Sequence, residues 1–418
     1  MSKSDKPLFL LFSQVFVPDP ASVGQHMADV AVEMARRGHR VRVYCSNRGF
    51  EDPSVRYESH ENLGGADVRR LPFSSFGKKS LLTRGLGTAS LLVQFLFIGL
   101  FTRNVGGIFF STSPPFIGLA CAIVSMIRRV PIVYWAMDLN PDQVFAMGKV
   151  KPASLTGRTL EAINRIILKR SKLIVPLDRF MAGRIATRGI TNDKMLVMPP
   201  WPHEDRIDNL DQSNNPFRVK HNLIDKFVIM YSGNHSPANP LRTLLDATLR
   251  YKDDPALRFL FVGGGGGKKE VDALIKEHNL TNVISLPYQP LADLKYSLSA
   301  ADVHIVSLGN DMVGIIHPCK IYGAMAVGRP ILFLGPKPSH ISDILDEHPI
   351  GWHVAHGDVT NCANAIDQAR ATSRDELQRM GKLASEVLGE NLSQEMLCNR
   401  LCSKLEDVMQ LKSGPASV

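Results

Sequence analysis

Twice along this chain, short apolar runs of strand length alternate with amphipathic runs of helix length, and a proline-rich break separates the two series. The first series predicts strands at Leu8–Val15, Val41–Ser46, Ala66–Leu71, Gly107–Ser111, Pro131–Ala136 and Leu173–Pro176. Helices are predicted over Val23–Arg37, Ile117–Arg128 and Leu155–Arg170. The break is Pro199-Pro200-Trp201-Pro202 followed by a polar run from Glu204 to Asn215. The second series predicts strands at Phe227–Tyr231, Leu257–Val262, Val283–Leu286, Val303–Val306 and Pro330–Leu334. Its helices cover Pro240–Tyr251, Lys268–His278, Leu291–Ala300 and Lys320–Ala326, with another starting at Ile341 and a helical tail from Asp375 to Gln410. Short, mostly apolar strands alternating with helices call for parallel sheets covered on both faces.

A chain of 418 residues exceeds what one core usually supports. The expected architecture is therefore α/β with two Rossmann-like domains facing each other across a cleft. The first spans residues 1–200, a linker spans 201–226, and the second domain spans 227–395. A terminal helix and tail, 396–418, are expected to pack back on the first domain. In such sheets ligands bind beyond the carboxyl ends of the strands, so the residues following each strand are the ones to examine.

With 21% charged and 44% apolar residues, the chain is not a disordered one. Its net charge of +9 favours anionic partners. From Lys149 to Arg188 there are ten Lys/Arg against two acids, Glu161 and Asp178, which suits either a solvated face or an anionic membrane surface. No nucleic-acid recognition module or aromatic-interleaved basic motif is present, so nucleic acid is not an expected partner. Six cysteines form no C-x-x-C pair and the N-terminus lacks a secretory pattern, which points to reduced thiols in a cytoplasm and to no metal site. Eighteen uncharged residues lie between Arg84 and Arg103. Their glycines, Thr88, Ser90 and Gln94 favour a buried or interfacial helix, here Leu91–Phe101, over a membrane span.

Several strand ends carry candidate chemistry. Five glycines, Gly263 to Gly267, follow Phe261-Val262 and precede a helix, so backbone N–H groups there can approach a phosphate. The Walker pattern fails because no Ser or Thr follows Lys268, and a dinucleotide fingerprint fails because the next strand ends in Pro287-Tyr288. Ser232-Gly233-Asn234-His235 closes the first strand of the second half. Asn234 is a turn former or a ligand contact, and His235 can donate to a phosphate or a sugar hydroxyl. Lys320, after Pro318 and Cys319, opens a helix, an electrostatically poor place for a cation unless an anion shares it. In the first half, Gly24 near a helix start, Thr112 and Ser113 after one strand, and Asp138 after another fall at strand ends. Asp138 binds a substrate hydroxyl, orients a base, or caps the helix after Pro141.

Taken together, Met34-Ala-Arg-Arg-Gly-His-Arg-Val-Arg-Val43, Thr112-Ser-Pro-Pro-Phe116, Asp138-Leu-Asn-Pro141, Ser232-Gly-Asn234, Phe261-Val-Gly-Gly264 and Pro318-Cys-Lys-Ile-Tyr-Gly-Ala-Met-Ala-Val-Gly-Arg-Pro330 resemble, in order and over nearly the whole chain, the retaining glycosyltransferases of the family 4 type. These have the GT-B fold, and the likeness is to the bacterial polysaccharide and lipid-linked oligosaccharide branch. The resemblance implies a UDP- or GDP-sugar held by the second domain, with Gly233, Asn234, His235, Gly263, Gly264, Gly265, Pro287, Tyr288, Pro318 and Lys320 as donor-binding residues. It implies a glycan acceptor, lipid-linked at the inner leaflet, bound by the first domain near Gly24, Thr112, Ser113 and Asp138. Asp138 and Lys320 are the implied catalytic residues, and transfer is expected to proceed with retention and without metal or cofactor. Two departures stand out: the family's paired glutamates fall at Ile315 and Gly323, and its basic pair falls near Asn234 and Asn239. A phosphorylase or epimerase of the same fold, or a nucleotide-sugar-binding subunit without turnover, are the alternative readings.

Overall fold

The computed structural model describes residues 6–19, 21–50, 52–74, 81–202 and 212–411. They form two compact units. The first takes the described residues of 1–203 and 395–418 together with Gly314–Ile316, and the second takes those of 204–313 and 317–394.

The first unit is built on strands β1 (Leu8–Phe12), β2 (Arg40–Ser46), β3 (His60–Leu63), β4 (Ala66–Leu71), β5 (Val105–Phe110), β6 (Ile132–Ala136) and β7 (Leu173–Pro176). Their order is β3-β4-β2-β1-β5-β6-β7, all parallel except the β3 edge, which pairs antiparallel with β4. Every residue of β1 and β6 is buried, because helices cover both faces of the sheet. β1 pairs with β2 on one side and β5 on the other, Leu10 lying against both Arg42 and Ile108. The strand order reverses there, so the loops after β1 and β5 flank a topological switch point. These loops are tied together, since Gln14 N donates to Ser113 O at 2.8 Å.

The long apolar helix runs Leu81–Phe101 and buries Leu91 and Phe95 completely. Among the described residues no helix is long and apolar enough to cross a membrane. The final helix, Gln394–Met409, groups with the first unit. Its Glu406 accepts from Arg37 at 2.9 Å, and its Leu397, Leu401 and Leu405 are buried. The expected continuous tail is thus two helices, Arg374–Asn391 and Gln394–Met409, which belong to different units.

The second unit carries β8 (Phe227–Ser232), β9 (Leu257–Val262), β10 (Val283–Leu286), β11 (Val303–Ser307), β12 (Ile331–Leu334) and β13 (Gly351–Val354), all parallel in the order β10-β9-β8-β11-β12-β13. Alternate residues feed two cores. Ile229, Tyr231, Phe259 and Phe261 pack on one face, and Val228, Met230, Leu260 and Val262 on the other. The switch point lies between β8 and β11, the Rossmann arrangement.

The expected linker differs from the structure. Residues 203–211 lie outside the described residues, but Pro216–Lys220 is helical and belongs to the second unit. Asn215 caps it by accepting from Phe217 N, and Pro216 occupies its first turn. Phe217 is 5% exposed against Val228 and Met230, a burial that stabilises by about 1.5–3 kcal/mol.

Candidate functional site

In the second unit the turns after β8 and β9 clasp each other. His235 N donates to Gly264 O at 2.7 Å and Gly267 N donates to His235 O at 2.9 Å. Gly233, Gly263 and Gly265 have φ of 134°, 127° and 112°, where a side chain is strained. Tight packing fixes these glycines as well. A Cβ on Gly263 would overlap the Gly233 carbonyl, and one on Gly265 would overlap Asn234 Oδ1 and the His235 carbonyl. Gly264 faces the ring of Tyr288, which is itself exposed just beyond β10.

Lys320 starts the helix Lys320–Ala326, which follows the loop after β11. That helix ends at Gly328, whose φ of 62° suits glycine, and Gly381 of Arg374–Asn391 packs directly on its backbone. The Lys320 chain passes over Gly233, where a Cβ would stand 2.5 Å from Lys320 Cε. Its ammonium lies 5.3 Å from the Tyr231 ring centroid and has no hydrogen bond or acidic partner among the described residues. Desolvation pulls its pKa down to about 8.

Lys268 behaves differently. Its Nζ donates to the carbonyls of Phe261 at 2.8 Å, Gly263 at 3.0 Å, and Leu286, tying the ends of β9 and β10. Of these two lysines at the strand ends, one is consumed by structure and one is available to an anion.

His235 is a correction to the sequence expectation of a phosphate or hydroxyl donor. Its side chain is buried between Tyr231 and Phe261, and burial, then the Lys268 charge, pull its pKa down to about 4. A neutral imidazole carries one N–H, and the 3.0 Å contact of Nδ1 with the Gly233 carbonyl requires that proton there. No donor remains for a phosphate, so the side chain holds the turn. Asn234 accepts from Tyr231 Oη at its carbonyl, 2.7 Å away. Pro318 is buried directly before the exposed Cys319. His317 Nε2 and Tyr322 Oη are 2.6 Å apart, and Tyr322 Oη and His340 Nε2 are 3.1 Å apart. Tyr231 and His340 were not legible as site residues, because only the packed structure brings Tyr231 to Lys320 and His340 to Tyr322.

The positions of the two expected glutamates have separate fates. A Cβ on Gly323 would meet only Leu298 Cδ1, at 3.7 Å, so the space for a side chain is open. Ile315 is buried in the first unit, its carbonyl accepting from Leu139 N at 2.8 Å, while Asp138 and Ile316 form a β-bridge.

The first unit holds its own constellation. Asp138 is partly exposed, no hydrogen bond reaches its carboxylate among the described residues, and desolvation raises its pKa to about 6. It does not cap the following helix: Asp142–Ala146 has Pro141 at its N-cap and no side-chain cap. Ser113 Oγ lies 3.4 Å from Gln14 Oε1 at the switch point. Thr112 lines a cavity of 190 Å³ with Ser111, Phe116, Asn140 and residues of Leu155–Arg170. Gly24 packs on the Phe16 backbone, where a Cβ would stand 3.0 Å from the Phe16 N and Cα. No group of three or more metal-ligating side chains occurs among the described residues.

Residues 22–201 match the family model described as a glycosyl transferase 4-like domain, and residues 213–387 match that described as glycosyl transferases group 1. The probable glycosyltransferase WbjE of Pseudomonas aeruginosa is 26% identical over 331 residues, 78% of this chain and 81% of that protein. The putative colanic acid biosynthesis glycosyl transferase WcaI of Escherichia coli is 23% identical over 354 residues, 81% of this chain and 86% of its own. The solved structure of Anabaena HepE in complex with UDP-glucose superposes with a TM-score of 0.69 at 16% identity, covering 96% of this chain and 100% of that one, which speaks for the fold. With one domain of each type in succession and two Rossmann-like units, the chain belongs to the family 4 type of GT-B glycosyltransferases.

Proposed function

We propose that the enzyme transfers a sugar from a nucleoside-diphosphate sugar, UDP- or GDP-linked, to a hydroxyl of a lipid-linked glycan, with retention and without metal, in the assembly of a cell-surface polysaccharide. The observation that carries this is Lys320, a desolvated cation without a counter-ion among the described residues, beside the paired glycine turns. A departing diphosphate needs its growing charge neutralised, and a positioned ammonium in a water-poor site does so effectively. At neutral pH a group of pKa about 8 is mostly protonated, and an arriving diphosphate raises that value further. Gly233, Asn234, Gly263, Gly264 and Gly265 supply backbone at the strand ends, and Tyr288 and Pro287 give an exposed flat surface beyond β10 for a nucleobase. Pro318 fixes the approach to Lys320. The UDP-glucose held by Anabaena HepE supports the donor class, and the colanic acid assignment of WcaI supports the pathway class.

Asp138 is proposed to orient the acceptor hydroxyl, with Thr112 and Ser113 following the adjacent strand β5. A carboxylate of pKa about 6 is ionised at pH 7 and accepts a hydrogen bond from an alcohol.

A membrane-linked acceptor is supported by the outer face of Leu81–Phe101. Leu86, Val93, Phe97 and Phe101 are all more than half exposed and recur at spacings of 7, 4 and 4, so they form one stripe. Phe97 and Phe101 stack at 6.0 Å. Met126 and Ile127 are exposed on the neighbouring Ile117–Arg128, with Arg103 and Arg129 exposed at the helix ends. Apolar and basic side chains together suit an anionic cytoplasmic leaflet. Incubation with UDP- and GDP-sugars and a lipid-linked acceptor tests the reading. Release of the nucleoside diphosphate and a glycosylated lipid are expected, and neither binding nor release with any such pair would sink it.

A further inference from the structure

The cavity in the first unit mixes two chemistries in its lining. Val144, Leu160, Ile163 and Ile167 supply hydrocarbon, while Thr112, Tyr134 and Asn140 supply polar groups that are short of partners. Thr112 and Asn140 are half-buried, and neither the hydroxyl nor the carboxamide has a hydrogen bond among the described residues. Tyr134 is 7% exposed, and its phenol reaches only the Asp138 carbonyl, at 3.5 Å, beyond the usual O–H···O range. Asn164 differs. With its amide oriented to satisfy both ends, it donates to the Asn140 carbonyl at 3.3 Å and accepts from Arg188 Nε at 3.2 Å.

Phe116 lines the cavity and is 42% exposed, so its ring forms part of the mouth. Its φ of 68° is a costly conformation for a bulky residue, of the kind retained at binding sites. A purely hydrocarbon occupant would strip water from Thr112, Tyr134 and Asn140 without replacing its hydrogen bonds. A sugar bearing only hydroxyls would press them against Val144, Leu160 and Ile163. An acetamido group answers both conditions. Its methyl belongs on hydrocarbon, and its N–H and C=O match a carboxamide, which both donates and accepts. At 190 Å³ the cavity exceeds the roughly 150 Å³ that takes benzene, a larger group than acetamido. The apolar C–H face of a pyranose ring can then pack on Phe116.

We propose that this cavity selects an N-acetylated sugar of the acceptor glycan, with Asn140 and Thr112 holding its amide and the hydrocarbon wall its methyl. The inference rests on the glycan-acceptor reading of Asp138 and names the substituent that the first unit recognises. Saturation-transfer NMR and titration on the full chain test it, with the methyl glycosides of N-acetylglucosamine and of glucose as probes. The N-acetyl methyl is expected to receive the strongest saturation. The N-acetylated sugar is expected to bind at least about ten-fold more tightly than glucose, since one buried methyl and one net hydrogen bond together give that factor. Asn140→Leu keeps the size of the side chain and removes the carboxamide. It is expected to abolish the preference, with an unchanged Tm as the check on folding. Ile163→Trp, which fills the cavity, is the second variant should the first fail that check. Equal affinity for the two sugars, binding of neither, or an undiminished preference in a variant of unchanged Tm overturns the proposal. In transfer assays, a glycan acceptor with hydroxyl in place of acetamido should show a KM raised by at least about ten-fold, and an equal KM overturns the assignment. Absence of sugar transfer with an intact preference for the N-acetylated sugar would instead count against the proposed function alone.

Discussion

The ammonium of Lys320 lies 5.3 Å from the centroid of the Tyr231 ring, and its chain reaches that point across Gly233. The ring gives the cation a weak partner, about 0.5–2 kcal/mol, without consuming its charge. That leaves the ammonium desolvated and chemically available. Lys320→Ala is expected to lower kcat by about 10²–10³-fold, the usual loss for one transition-state donor. UDP binding should weaken too. The pH dependence has a definite sign. Because the pKa of the free site is about 8, UDP affinity should be flat below that pH and fall as pH rises through it, by about ten-fold per unit. Titration calorimetry across pH 6–9.5 checks this, and an unchanged profile in Lys320→Ala would exclude Lys320 as the titrating group.

Gly233→Ala should disturb the same site from the other side. The residue has φ of 134°, and its new methyl would press on Lys320 Cε. Backbone strain alone costs about 1–3 kcal/mol. The expected result is a lower Tm together with a loss of UDP affinity, measured by thermal melts with and without UDP. A Gly233→Ala protein that binds UDP normally would show that the lysine's path over the glycine is incidental.

Asp138→Asn should separate stability from function. Its folded pKa, about 6, is raised above the unfolded value of about 3.9, so the folded state binds more protons between those limits. Stability contributed by this site therefore falls as pH rises from about 4 to about 6, and the cost persists at neutral pH. The neutral amide removes it. Asp138→Asn is expected to raise Tm at pH 7, leave UDP binding unchanged and strongly depress acceptor-dependent transfer. In the parent, kcat/KM for the acceptor should rise as pH increases through about 6. Transfer by Asp138→Asn at the parent rate would remove this residue from the site.

Gly323→Glu tests the more conspicuous departure from the family pattern. Only Leu298 Cδ1 lies near the new Cβ, at 3.7 Å, and glutamate is a better helix former than glycine by roughly 0.5–1 kcal/mol. The variant is expected to fold with equal or higher Tm. If the family's ribose contact is simply missing here, UDP should bind it more tightly. Unchanged or weaker UDP binding by the folded variant would mean that this chain holds the nucleotide from another direction.

The outcome at Gly323 bears on how far sequence alone reaches. Strands such as Leu257–Val262 and helices such as Lys268–His278 were legible because a strand covered on both faces is mostly apolar, Arg258 being the exception here, and its covering helix is amphipathic. His60–Leu63 and Gly351–Val354 were not, since edge strands bury little and carry polar residues. Pro216–Lys220 hid inside a polar run, although Asn215-Pro216 is an N-cap signal. At the site, the glycine turns and Lys320 followed from their places after strands. The ring of Tyr231 and the burial of His235 did not, because a strand-end side chain takes its role from neighbours far along the chain.

The stripe on Leu81–Phe101 yields the last prediction. Phe97 and Phe101 are 56% and 74% exposed, so replacing both by Ser removes apolar surface from water without opening the core formed by Leu91 and Phe95. Inserting one such ring into a lipid interface contributes on the order of 1.5–3 kcal/mol, so the double variant should lose at least about ten-fold in affinity for anionic vesicles. Binding by the parent should weaken with added salt, because the screening length is only about 10 Å at 0.1 M. Vesicle co-sedimentation at 50 and 300 mM salt reads both effects. UDP binding and transfer to a water-soluble acceptor should be unaltered in the same variant, since the stripe lies on a covering helix and not at a strand end. Undiminished vesicle binding in the double variant would assign membrane contact to some other face of the protein.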